Sequence, residues 1–299
     1  MKKQLKIYFE DMWGYEAYMF NPNDNYFTDL LSLKYDVVID SNPDLLIFST
    51  FGSNNLNFNC KKIYFLGENS GPWYKHPSTI KCDVSLTHFD TSDTNYYVPL
   101  WSTYIDWFNK SQPRPLPCNP TFYIPQKSLV NRKLKEKGKF CNFMYNNPIE
   151  DRIQFFNKLS EYKHIDSYGG LLNNVGYSLR GSELDKLNVL NEYKFTIAYE
   201  SSIHAGYITE KLIHPLSVGS IPIYSGGSKV KEFFNSKAII NVADFESVDK
   251  LIEHVKLVDS DESLYREYIT QPIFNDNKIP EAIKPETILN WIENKLQLC

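Results

Sequence analysis

The stretch Lys194–Gly227, KFTIAYESSIHAGYITEKLIHPLSVGSIPIYSGG, decides the fold class. Phe195–Tyr199 is a run of apolar and β-branched residues that reads as a strand, ending at Glu200. A loop with Gly206 follows. Thr209-Glu210-Lys211 then opens a helix reaching about Val218, Gly219 stops it, and Ile221–Tyr224 is strand-like again. This alternation of near-continuous apolar strands with helices points to an α/β layer architecture around a parallel sheet.

The same alternation extends outward. Lys139–Met144 reads as a strand and Pro148–Leu159 as a helix. Val248, Leu251, Ile252, Val255 and Val258 fall on one face of an amphipathic helix, and Ile288, Trp291, Ile292 and Lys295 mark a last one. Upstream, Leu5–Phe9, Asp36–Ile39, Asp44–Phe48, Lys62–Leu66, Val84–Thr87 and Tyr96–Leu100 read as strands, and Thr28–Leu33 as a short helix capped by Thr28. Between the halves lie Pro113, Pro115, Pro117, Pro120 and Pro125, a density that sustains neither helix nor central strand. Two domains are therefore expected, 1–120 and 121–299, with a cleft between them; the last helix could pack back on the first domain. The basic run Arg132, Lys133, Lys135, Lys137 and Lys139 reads as a solvated surface segment.

Composition narrows the function classes. The chain has 299 residues, 42% hydrophobic and 23% charged, as expected of a globular protein long enough for about two domains. A net charge of −4, from 32 basic and 36 acidic residues, provides no global field for nucleic acid or an anionic membrane. No apolar run is long enough for a spanning helix, and the basic N-terminus has no signal-peptide core. Cys60, Cys82, Cys118, Cys141 and Cys299 are odd in number and form no CxxC pair, so neither a disulfide framework nor a zinc site is suggested and a cytoplasmic location is expected. Aromatics make up 15% of the chain, and aromatic rings suit sugar faces as well as cores.

Three constellations could carry chemistry. In Asn147–Arg152, Asn147 is a favourable N-cap, Pro148 suits the first helical position and Glu150 the third. Arg152 then sits where the macrodipole disfavours a cation, as a phosphate-binding residue would; on the hexapeptide alone, pairing with Glu150 or Asp151 accounts for it somewhat better. Lys211 is a second cation at a helix start, and two together suit a diphosphate better than either alone. Glu210 could hold ribose hydroxyls, although an ordinary exposed Glu-Lys pair accounts for this segment equally. Glu68, in the Gly67–Asn69 turn past a strand tip, is placed to act as a general base, a weak signal by itself. GxGxxG, GxxxxGK[ST], HExxH and GxSxG are all absent. Asp259-Ser260-Asp261 follows an amphipathic helix and is expected to cap between two helices, and His204 reads as peripheral.

These residues resemble the α-1,3/4-fucosyltransferases of glycosyltransferase family 10. The family pattern F-x-[ILV]-[AC]-[FY]-E-[NS]-S and G-Y-[VI]-T-E-K is met at Phe195–Ser202 and Gly206–Lys211, and I-P-[IV]-Y-W-G at Ile221–Gly226 in all but its Trp, in register with Gly67–Asn69 and Arg152. The resemblance implies a GT-B fold, two Rossmann-like domains facing a central cleft. It implies transfer of fucose from GDP-β-L-fucose, with inversion, to a hydroxyl (O3) of a GlcNAc-type oligosaccharide. Carried over, Glu68 would be the general base, Arg152 and Lys211 would neutralise the diphosphate, Tyr207 would hydrogen-bond it and Glu210 would hold the ribose. Gly67, Asn69, Glu200 and Ser201 would complete the donor contacts. No metal or other cofactor is expected to be required, with Mn2+ or Mg2+ at most stimulating.

Ser225 stands where the family has Trp and Ser201 where Asn is common, and Pro215 should kink or shorten its helix. A transferase of the same fold using another nucleotide sugar, or a non-catalytic carbohydrate-binding relative, are the alternatives. Trp13, Trp73 and Tyr74 could stack on sugar rings or belong to the core.

Overall fold

The computed structural model describes residues 2–13, 20–69, 71, 73–110, 123–132, 134–179 and 183–298. Pro113, Pro115, Pro117 and Pro120 of the expected linker lie outside these residues, as do Lys133, Cys118 and Cys299. The chain divides into two units, Met1–Tyr123 with Pro280–Cys299, and Ile124–Ile279.

The first unit is built on β1 (Lys3–Glu10), β2 (Tyr35–Ile39), β3 (Leu45–Phe48), β4 (Lys61–Leu66), β5 (Val84–Thr87) and β6 (Asn95–Tyr97). All pair in parallel, in the order β2-β1-β3-β4-β5-β6. Every residue of β3 and β5 is buried, because a parallel strand covered on both faces has no solvent side to keep polar. Helix α1 (Tyr26–Ser32) is capped by Asn25, which accepts the Phe27 and Thr28 N–H groups at 2.9 and 3.0 Å. Thr28, the expected cap, lies inside the helix, where its hydroxyl donates to the Pro22 carbonyl instead. The expected strand Tyr96–Leu100 ends at Tyr97, and a 3-10 turn starts just after Pro99, which has no N–H for the ladder. The C-terminal helix Pro285–Leu296 belongs to this unit. Its Ile288, Leu289, Ile292 and Leu296 share a core with Leu5, Ile7, Leu30 and Leu31.

The second unit carries β7 (Lys139–Phe143), β8 (Ile165–Ser167), β9 (Tyr193–Tyr199), β10 (Ile221–Ser225) and β11 (Ile240–Asn241), parallel in the order β8-β7-β9-β10-β11. Its helices include α2 (Glu150–Ser160), α3 (Glu183–Leu190), α4 (Glu210–Val218), α5 (Val248–Ser260) and α6 (Glu262–Thr270). Numbered within its own unit, each sheet begins 2-1-3-4-5, so the order reverses beside its first strand. Ligands of open α/β sheets bind outside the strands' carboxyl ends at such a reversal. It falls between β7 and β9 here, and between β1 and β3 in the first unit.

Several local expectations are corrected. α2 begins at Glu150, not Pro148: Ile149 is extended (φ −107°, ψ 126°), and no side chain among the described residues caps the helix, the expected Asn147 included. α4 runs through Pro215 to Gly219 (φ 72°) without being shortened. Leu212, Ile213 and Leu216 are buried, and this packing offsets the hydrogen bond that proline removes.

The basic run is solvated only in part: Lys135 and Lys139 are exposed, whereas Arg132 and Lys137 turn inward. Arg132 donates to the Leu216 carbonyl at 3.0 Å and Ile269 at 2.9 Å, and the buried Lys137 to Val218 at 2.7 Å and Asn191 at 2.7 Å. Two cations thereby satisfy the last carbonyls of α4, where the macrodipole favours them. Burial pushes the Lys137 ammonium down to about 8.

Asp261 caps α6 as expected, accepting the Ser263 and Leu264 N–H groups. Asp259 does something else: it is buried and receives Tyr162 at 3.0 Å, Lys194 at 3.1 Å and Lys163, fastening the start of β9 and the end of α2 to α5. Burial by itself pushes this carboxyl up, but those three hydrogen bonds outweigh it and hold the pKa below the ordinary value. A depressed folded pKa stabilises the protein above the unfolded pKa, and that contribution is lost as pH falls through the folded one. Asp259→Asn is therefore expected to cost about 1–3 kcal/mol at neutral pH, with the deficit shrinking below about pH 4. A melting-temperature gap that stays constant from neutral to acid pH would show that the charge of Asp259 contributes nothing.

Candidate active site

Both loops at the reversal point of the second sheet carry charge. The chain leaving β7 enters α2, whose third residue is Arg152; the chain leaving β9 enters α4 at Glu210-Lys211.

Arg152 is 2% exposed. One Nη donates to the Tyr199 carbonyl at 2.8 Å, and the guanidinium lies 4.1 Å from the centre of the Tyr145 ring. That ring is held by its hydroxyl, which donates to the Ile197 carbonyl at 2.9 Å and accepts the Tyr199 N–H at 2.7 Å. Arg152 Nε is buried with no hydrogen-bond partner among the described residues. Pairing with Glu150 or Asp151 does not occur; Glu150 accepts Gln154 at 2.7 Å instead. Burial lowers the Arg152 pKa, but a guanidinium stays charged. A buried cation with no ion-pair partner among the described residues, at a helix start that none of their side chains caps, calls for a ligand that brings negative charge.

Thr209 caps α4, accepting the Lys211 N–H at 3.3 Å. Lys211 Nζ lies 3.2 Å from Glu210 Oε1 and 3.6 Å from Glu200 Oε2. Burial opposes its charge, yet the two carboxylates hold the ammonium well above the ordinary lysine value. Burial likewise pushes Glu210 up, but Lys211 and Lys186 override it and hold this carboxyl far below its usual range. Glu210 is therefore ionised at any physiological pH.

Glu200, expected among the donor contacts, faces inward. Its oxygens accept the Thr209 N–H and hydroxyl, each at 2.8 Å, and its side chain has no exposed surface. It ties the end of β9 to the cap of α4 and lies 3.6 Å from Lys211 Nζ. Close approach explains the neighbouring Gly226: a Cβ there would fall 2.2 Å from the Tyr224 hydroxyl and 2.7 Å from Glu200 Cγ. Ser225, in the place of the family's tryptophan, contributes its carbonyl, which accepts the Glu200 N–H at 2.8 Å. Tyr207 is buried with its hydroxyl 3.5 Å from Ser201 Oγ, and burial pushes it up to about 12. Gly67, Glu68 and Asn69 are half-buried in the first unit, on the loop that leaves β4.

A model of the C-terminal part of glycosyltransferase family 10 (fucosyltransferase) matches residues 133–273. A model of the α-(1,3)-fucosyltransferase FucT N-terminal domain matches residues 7–104. The chain belongs to glycosyltransferase family 10.

It is similar to the Helicobacter pylori α-(1,3)-fucosyltransferase FucT, 26% identical over 91% of this chain and 60% of that protein. It also resembles an Acanthamoeba polyphaga mimivirus protein that bears a fucosyltransferase name, 32% identical over 72% of this chain and 35% of that protein. The chain thus spans roughly a third to three fifths of the curated relatives' length. A crystal structure of an α1,3-fucosyltransferase with GDP-fucose aligns over 99% of this chain and 91% of the other, with a TM-score of 0.75 and 23% identity. The two parallel-sheet units are accordingly those of the GT-B fold.

Within this family framework, sequence reasoning missed part of the site's surroundings. Lys186 on α3 lies 4.0 Å from Glu210 and 3.9 Å from Glu183, and the buried His214 lies 3.4 Å from Glu183. Burial keeps His214 neutral and raises Glu183. A small pocket is lined by Tyr145, Lys186, Thr196, Glu210, Lys211 and His214, among others. His214 could have been found, because it follows Glu210 by one helical turn. Nothing in the sequence pointed to Lys186.

Proposed function

We propose that this chain moves L-fucose from GDP-β-L-fucose, with inversion, to O3 of a GlcNAc-type sugar. The observation that carries the reading is Arg152, a buried cation without an ion-pair partner among the described residues, at the start of α2 and on the same sheet edge as Lys211 at the start of α4. In this reading the two cations neutralise the charge that grows on GDP as the bond from fucose C1 to the β-phosphate oxygen breaks. Tyr207 and Ser201 hydrogen-bond the diphosphate, ionised Glu210 accepts the ribose hydroxyls, and Gly67 and Asn69 add donor contacts beside Glu68. The acceptor oxygen attacks C1 from the face opposite GDP, the broken bond's electron pair departs with GDP, and Glu68 takes the acceptor proton. Because the neutralising charges are the chain's own, Mn2+ or Mg2+ would add only screening, and chelation should leave most of the rate.

Thermal melts with GDP or UDP, followed by turnover of GDP-fucose over an acceptor series that includes N-acetyllactosamine, test this directly. GDP at a hundredfold its Kd should stabilise the protein by about 2.7 kcal/mol, and UDP by less. A larger UDP effect would transfer the site to another nucleotide sugar. GDP binding with no turnover on any acceptor would leave a carbohydrate-binding relative in its place.

A further inference from the structure

We propose that Trp73, backed by Phe51, forms the acceptor subsite: an aromatic wall on the first unit against which one pyranose ring of the acceptor stacks. The proposal rests on the transferase reading above and names a surface that this reading leaves open.

The structure separates the three aromatic candidates of the sequence. Trp13 packs against Phe20 and Phe65 at the edge of the core, with ring centres 5.7 Å away in each case, and Tyr74 lies half-buried against a second cluster. Trp73 is 43% exposed, and its ring sits 5.5 Å from that of Phe51 at 43°. An indole braced on one side and open on the other can offer a face to a ligand without first being ordered.

Its place in the fold is the second argument. Phe51 and Asp11 follow β3 and β1, the two strands between which the first sheet reverses, and Trp73 follows the neighbouring β4. These loops are stitched together. Phe51 N–H donates to the Asp11 carbonyl at 3.1 Å, Lys75 Nζ to the Gly52 carbonyl at 2.8 Å, Tyr64 hydroxyl to the Lys75 carbonyl at 2.9 Å, and Thr50 hydroxyl to the Trp73 carbonyl. Asp11 holds a left-handed conformation (φ 54°) while its carboxylate accepts the Asn54 and Asn55 N–H groups at 3.0 and 2.9 Å. A non-glycine residue there is strained, and such strain gathers where a ligand needs fixed geometry.

The chemistry selects a sugar. A pyranose offers an apolar C–H face to the indole and hydroxyls at its edge. The exposed amide of Asn54, which donates to Glu10 Oε2 at 3.2 Å, supplies polar groups at the rim. Carboxylates at Glu10 and Asp11 disfavour a phosphate. Trp73 is five residues past Glu68, at most about 18 Å of chain, so an oligosaccharide on the wall is within reach of the base.

The test is steady-state transfer to N-acetyllactosamine, paired with GDP calorimetry on the same preparations. Trp73→Ala is expected to raise the acceptor KM about tenfold or more, with kcat within a few-fold and GDP affinity unchanged; Trp73→Phe should recover most of the loss. Phe51→Ala, which removes only the brace, should raise the same KM less. An acceptor KM for Trp73→Ala within twofold of wild type overturns the subsite while leaving the transferase reading standing. Wild-type protein that binds GDP but fucosylates no acceptor overturns that reading, and the subsite with it.

Discussion

Glu68→Gln is expected to lower fucose transfer by about 10²–10⁴-fold, the usual scale of losing a general base, with GDP affinity close to wild type. Glutamine keeps the size and shape of the side chain but cannot accept a proton at the pH of the assay. The cations assigned to GDP are all in the second unit, whereas Glu68 lies on the loop after β4 in the first. Rate and affinity should therefore separate. A titrating base also leaves an acid limb in the wild-type pH–rate profile, and the glutamine variant should lack it. Transfer within a few-fold of wild type would move the base elsewhere. A collapse of GDP affinity along with the rate would make Glu68 a donor ligand.

The second large effect concerns Arg152. Arg152→Met is expected to weaken GDP binding roughly ten- to a hundredfold, the scale of one lost charge-assisted contact. Methionine fills much of the same space without the charge, and the wild-type guanidinium is buried with no ion-pair partner among the described residues. The ligand-free protein should consequently melt no lower than wild type, and higher if relief of the buried charge outweighs the lost Tyr199 hydrogen bond and Tyr145 contact. Arg152→Lys keeps the charge but loses the planar fork, and should fall between the two. The opposite pattern, a lower melting temperature with GDP affinity intact, would make Arg152 a structural residue. Lys211→Met makes an informative contrast. It removes a phosphate cation but also strips the buried Glu200 of its cation and leaves the half-buried Glu210 only Lys186 at 4.0 Å, so it should lose affinity and stability together.

Local order was legible because it is set within a few residues. The apolar run Phe195–Tyr199, the helix opening at Thr209-Glu210-Lys211, the Gly219 stop and the apolar face of Leu251, Ile252, Val255 and Val258 each depend on near neighbours in sequence and stand in the structure, whereas Val248, expected on the same face, is exposed. The family pattern added register between distant segments, which placed Gly67–Asn69, Arg152 and Tyr207–Lys211 at carboxyl ends of parallel strands. What the sequence could not determine is burial and choice of partner, because both depend on residues far away along the chain. Arg152 has two carboxylates beside it in sequence, and only the fold shows that it uses neither. Glu200 looks like any other polar residue at a strand tip, yet Thr209 and Lys211 take its oxygens inward. Arg132 and Lys137 read as a solvated run until the end of α4 is brought against them, and Asp259 as a cap until Lys163 and Lys194 close on it. The short β8 and β11 and the helix α3, with Lys186, carry too little periodicity of their own and exist because neighbouring strands and helices give them somewhere to pack.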